Sequence, residues 1–314
     1  MLAATGVLVA ELVARPGAAG GMAHLVPAAA VVLTTLYAGA LANRAGGRPV
    51  VCATVGLGLG LAAQLSQEPV LLAGVSVATA VVAGILAVME TVPATGVLQA
   101  VREVLVATVV AGVGALAVTA YDTSIDPGRF RYLALVAAAL GIVALVGGLG
   151  AGLHGLGRRG ALVLAAGTLL LVAVVLYGEA LSRWGTPELE HAVAQVRSMI
   201  RVHLHAVPHP IQALLGFPAL TWGVVMRARR RQGWWVCAFG VAATVSTACA
   251  LIGPTGSLAH VLLGSGYSLV LGIAIGYLVI RLDLLLTGPR GQRARRDEQA
   301  LAHRPEPGRT RSLR

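Results

Sequence analysis

The sequence predicts an all-α fold, a polytopic membrane helix bundle of about ten transmembrane helices with both termini in the cytoplasm. Three observations predict it. Hydrophobic residues make up 57% of the 314 positions and charged ones only 12%, whereas a soluble domain is about a quarter charged. The mean hydropathy is +0.80, and the apolar residues form runs long enough to cross a bilayer. Glycine, at 40 residues, supplies the small contacts by which membrane helices approach one another.

A spanning helix takes roughly 20 apolar residues at 1.5 Å each. On that ruler the helices fall near 2–14, 24–42, 50–65, 69–89, 98–120, 131–152, 160–181, 211–226, 233–253 and 257–286. The first is short and carries Glu11, so nine spans is the alternative count. Breaks fall at Arg15-Pro16-Gly17, at the Asn43–Pro49 turn, at Asp126-Pro127-Gly128 and at Gly253–Gly256, where glycine and proline interrupt helices. The span after Pro210 holds Gly216, Pro218 and Gly223, and proline there frees a carbonyl and bends the helix. The last span holds Gly272 and Gly276, a GxxxG pair that permits close helix contact.

Four regions follow: residues 1–181, a membrane block of about seven helices; 182–210, an extracytoplasmic amphipathic helix with a His/Pro segment; 211–286, a block of three helices; and 287–314, a basic disordered cytoplasmic tail. The orientation rests on arginine, since the chain contains no lysine. Arg44, Arg48, Arg158, Arg159, Arg227, Arg229, Arg230, Arg231 and the tail share one side if the helices alternate, and that side is the cytoplasm. The formal charge of +11 is read as this topological bias, with no nucleic-acid partner. An arginine-only, asparagine-poor composition points to a GC-rich bacterial genome and a plasma-membrane location. The expected partners are the lipid bilayer and other membrane or envelope proteins.

The polar interval Gly178–Pro210 carries four of the eight histidines. Thr186 can cap a helix there, with Pro187 opening it and Glu188 and Glu190 near its positive end. Leu189, Ala192, Val193, Val196, Met199, Ile200 and Leu204 give it one apolar stripe, as in a helix lying on a bilayer surface. His203, His205 and His209 are the candidate metal ligands. On a helix the first two diverge, while in an extended segment they share a face.

Charges in apolar sequence are functional candidates because burying them in hydrocarbon is costly. Glu90, Arg102 and Glu103 flank the turn before the fifth span, and with Pro218 and Trp222 they are the transport or coupling candidates. Cys52, Cys237 and Cys249 have neither zinc nor disulfide spacing. No nucleophile elbow, HExxH pair or phosphate loop is present, so neither an enzyme nor a cofactor is expected.

Gly39-Ala-Leu-Ala-Asn-Arg-Ala-Gly-Gly-Arg48 resembles the loop between helices two and three of major facilitator transporters, G-x-L-x-D-R-x-G-R-[RK]. Gly39, Leu41, Arg44 and Gly46 match it. Asn43 stands where that pattern has aspartate, Gly47 displaces its first arginine, and the chain is too short for twelve helices. The resemblance covers about a dozen residues, and the family is not carried over to the rest. Two functions remain: a permease-like transporter of a small or amphipathic solute, and a non-catalytic membrane subunit or scaffold of a cell-envelope complex.

Overall fold

The computed structural model describes residues 2–13, 25–123, 125–149, 161–162, 164–173, 176, 187–229, 233–252, 258–287 and 306–313. Among them no strand occurs. The helices are α1 (Leu2–Val13), α2 (Leu25–Ala45), α3 (Pro49–Ser66), α4 (Pro69–Met89), α5 (Val97–Thr119), α6 (Pro127–Gly148), α7 (Leu164–Ala173) and α8 (Pro187–Leu204). A π-helical turn, Ile211–Gly216, then runs into α9 (Phe217–Arg227), followed by α10 (Gly233–Phe239), α11 (Val241–Ala248) and α12 (Leu258–Thr287). The Thr186 cap, the Glu11 side chain and residues 288–305 lie outside the described residues.

Local chemistry sets the boundaries. Proline opens α3, α4 and α6, where its missing N–H leaves no bond unmade. Asp126 caps α6, its carboxylate accepting from the Arg129 N–H at 2.9 Å. After α2 the chain reverses tightly: Gly46 takes a positive φ of 76°, and the Gly47 N–H closes on the Ala42 carbonyl at 2.7 Å. A residue with a Cβ is strained in that conformation, which explains a glycine at this point.

Among the described residues six helices are long and apolar enough to cross a membrane: α2 to α6 and α12. Within the described residues α1 covers 12 positions, and Leu164–Ala173, Ile211–Arg227 and Gly233–Ala248 are shorter apolar stretches; the expected span at 160–181 lies partly outside the described residues. The expected span at 233–253 is broken at Gly240, where an added Cβ would meet the Cys237 carbonyl at 2.8 Å and Leu220 at 2.9 Å. The span at 211–226 changes hydrogen-bond register: the Phe217 N–H bonds the Gln212 carbonyl, five residues back. The extra residue of the π turn takes up the bend ahead of Pro218.

α4 is the centre of the bundle, packed by α2, α5, α6 and α11. Its contact with α11 is backbone-close. A Cβ on Gly84 would lie 2.2 Å from Val245, and the Thr244 hydroxyl donates to the Gly84 carbonyl at 2.8 Å. The GxxxG of α12 packs as small residues allow: a Cβ on Gly272 would fall 2.4 Å from Phe217, and one on Gly276 2.7 Å from Thr221. Outward, α3 and α12 present exposed apolar rows, including Val51, Val55, Leu59, Val270, Leu278 and Leu285. That exterior fits lipid and not water. The multi-pass membrane assignment therefore holds at the level of an all-helical bundle with several apolar spans.

Candidate functional site

The C-terminal ends of α2, α4 and α9 meet the N-terminal turns of α5 and α10 at one end of the bundle. This arginine end collects the buried charges of the described residues, whose other buried polar groups are uncharged. Arg44 closes α2 and Arg227 closes α9, each in the last turn, where the helix dipole favours a cation. Both are buried, with exposures of 1% and 0%, and so is Glu103, at 0%.

Each charge has specific partners. Arg44 donates from Nε to the Met89 carbonyl at 2.8 Å, which satisfies an orphan acceptor at the end of α4. Arg227 donates from Nη1 to the Thr91 hydroxyl at 2.7 Å and from Nη2 to the Thr91 carbonyl at 3.0 Å. Its guanidinium lies 3.5 Å from the centre of the Trp234 ring. Glu103 accepts the Val92 N–H on Oε2 at 2.9 Å and Arg102 on Oε1 at 3.0 Å. Arg102 itself is 64% exposed, so its pairing contributes little to stability. Glu90 follows α4, and burial raises its carboxyl pKa, opposed by the nearby charges of Arg44 and Arg309.

The remaining partners come from residues 306–313, which lie within the stretch expected to be a disordered tail. They are seated across the arginine end. Glu306 forms an ion pair with Arg227, and Arg309 forms one with Glu103 at 2.7 Å. The carbonyls of Gly308 and Arg311 both accept from Arg44 Nη1 at 2.7 Å. Backbone contacts complete the seat: the Leu313 N–H donates to the Arg44 carbonyl at 3.0 Å, and Asn43 donates to the Thr310 carbonyl at 2.9 Å. A basic composition alone suggests a solvated tail, but buried donors on α2 and α9 hold this segment.

Of the sequence candidates, Glu90, Arg102 and Glu103 come together here. Pro218 and Trp222 do not; they lie further up α9. Pro218 is buried beside Gly272, and the Trp222 indole N–H reaches Asp283 of α12 at 3.4 Å. His203 and His205 sit exposed at the end of α8, on the opposite end of the bundle. The His205 carbonyl meets the His260 ring at 2.7 Å, and the His209 N–H donates to Ser268 at 2.7 Å. Partial burial lowers the His209 pKa, helped by Arg131 and His260. Among the described residues no three of His, Cys, Asp and Glu are placed to hold a metal ion.

Sequence reasoning missed Arg44, Thr91, Arg227, Glu306 and Arg309 as site residues. The two arginines were visible only as marks of sidedness, and nothing local in Glu306–Leu313 signals what it binds. Gln212 was missed as well: it is fully buried in the π turn, donates to Thr247 at 3.3 Å, and leaves its Oε1 without a partner. The sequence matches no family model, no curated protein and no solved structure.

Proposed function

We propose that this chain is a permease-like transporter of a small or amphipathic solute, with the arginine end facing the cytoplasm of a bacterial cell. One observation carries the reading: Arg44, Glu103 and Arg227 are wholly buried, yet they find their partners in a peripheral segment and not in the helices alone. Charge is expensive inside a membrane bundle and characteristically marks a solute or ion path there. The π turn ahead of α9 adds a discontinuous helix, the type of element that forms binding sites in many transporters.

The test is uptake of a panel of labelled solutes by reconstituted vesicles. Glu103→Gln is expected to abolish uptake of a transported solute while the protein still inserts and unfolds cooperatively. Uptake unchanged by that substitution would sink the reading.

The alternative of a non-catalytic scaffold subunit is favoured by α8. Val196, Met199 and Val202 are exposed on that helix. In that case deleting residues 187–204 releases a co-purifying envelope protein, and Glu103→Gln is silent.

A further inference from the structure

The arginine end has more buried donors than its occupant satisfies. Even with residues 306–313 seated, Arg44 Nη2 and Arg227 Nε have no hydrogen-bond partner. If that segment leaves, Glu103 keeps both the Val92 N–H and Arg102. The two arginines fare worse. Arg227 loses the Glu306 carboxylate, and Arg44 loses the carbonyls of Gly308 and Arg311. What the vacated seat lacks is therefore acceptor oxygens on a negative group. The arginines are close enough to feel each other's charge, which adds to the same demand. A guanidinium fork pairs bidentately with a carboxylate or a phosphate, and the group it holds here is the Glu306 carboxylate.

We propose that the seat of residues 306–313 is a binding site for a small carboxylate, and that Glu306 is its resident, displaceable stand-in. This rests on the permease reading only for its purpose; binding stands or falls without transport. The segment is then an internal competitor. Its tether gives it a high effective concentration, and a free carboxylate binds well only when that competition is weakened. An occupant with two carboxylates would also offer acceptors to the donors left unpaired on Arg44 and Arg227.

Arg227 stacked on Trp234 supplies the readout, because displacement of Glu306 changes the surroundings of that indole. The full-length protein in detergent is titrated with glutarate, and separately with inorganic phosphate at equal ionic strength, following tryptophan fluorescence and thermal unfolding. Glu306→Gln and Arg309→Gln each weaken the segment's hold and leave Arg44 and Arg227 in place. Both are expected to bind glutarate about tenfold more tightly than the unsubstituted protein. Arg227→Lys placed on Glu306→Gln is expected to lose that gain, since the ammonium keeps the charge but not the fork. The proposal is overturned if both segment variants bind glutarate no better than the unsubstituted protein. It is equally overturned if phosphate binds as tightly as glutarate, or if Arg227→Lys leaves the gain intact. Glutarate binding without glutarate uptake into vesicles would uphold the site and reject the bound carboxylate as a transported solute.

Discussion

The two ends of the bundle spend their polar residues differently. At the arginine end, side chains are buried and bond one another or a returning segment: Arg227 to Glu306, Arg309 to Glu103, Arg44 to two backbone carbonyls. At the opposite end they are more exposed and hold backbone: Arg131 on the Ile252 carbonyl, His260 at the His205 carbonyl, Tyr267 on the Leu204 carbonyl. Both ends look polar in sequence, and the histidine-bearing one looks richer. Burial reverses that order. A charge that water can reach is cheap to place and cheap to lose, whereas one sealed among helices must keep its partner.

The largest difference should appear when one arginine is removed from each end. Arg227→Met leaves the buried Thr91 hydroxyl and carbonyl without their charged donor and ends the Glu306 ion pair, and is expected to cost about 3–5 kcal/mol. Arg131→Met removes one bond of an exposed residue to the Ile252 carbonyl at 3.1 Å and should cost about 1 kcal/mol or less. Thermal and denaturant unfolding in one detergent measures both, and equal losses would erase the distinction between the ends. A smaller effect comes from the contact between α12 and α9. Gly276→Leu drives a side chain into Thr221, 2.7 Å from the new Cβ, and should cost about 1–3 kcal/mol. If the variant is as stable as the parent, the two helices do not meet there.

The weakest effect sharpens the comparison through pH. Burial raises the Glu90 pKa in the folded state above its ordinary 4.5. Its contribution is fully present below that value and is lost as pH rises through the folded pKa. The His209 pKa is lowered below 6.5, so its contribution is present above 6.5 and is lost as pH falls through the folded pKa. The two ends therefore lean in opposite directions. Melting temperatures from about pH 4 to about pH 8 should show Glu90→Gln removing a loss on the rising side and His209→Gln removing one on the falling side. Identical profiles for the two variants would refute it.

Hydropathy made two of the long spans legible almost to the residue. The expectation of 69–89 meets α4 at Pro69–Met89, and 257–286 meets α12 at Leu258–Thr287. These stretches are uniformly apolar between strong breaks, so length alone decides them. The expectations at 211–226 and 233–253 carried the same composition but resolved into pieces, because what interrupts them is tertiary. Gly240 sits against Leu220 and Pro218 against α12, and no window average registers a neighbour. The site divides in the same manner. Glu90 and Glu103 stood out as acids beside apolar runs. Arg44 and Arg227 were hidden by their number, as members of an arginine surplus that fixes sidedness. Glu306 and Arg309 pair with residues 79 and 206 positions away, and no local pattern encodes such a meeting.

The order of synthesis gives the Arg44 seat one more meaning. Gly308, whose carbonyl binds Arg44, is translated 264 residues after it. A ribosome makes about 5–20 residues per second, so α2 waits in the bilayer for many seconds with a guanidinium lacking its final acceptors. A chain short of that point lacks the Gly308 and Arg311 carbonyls and leaves Arg44 the Met89 carbonyl.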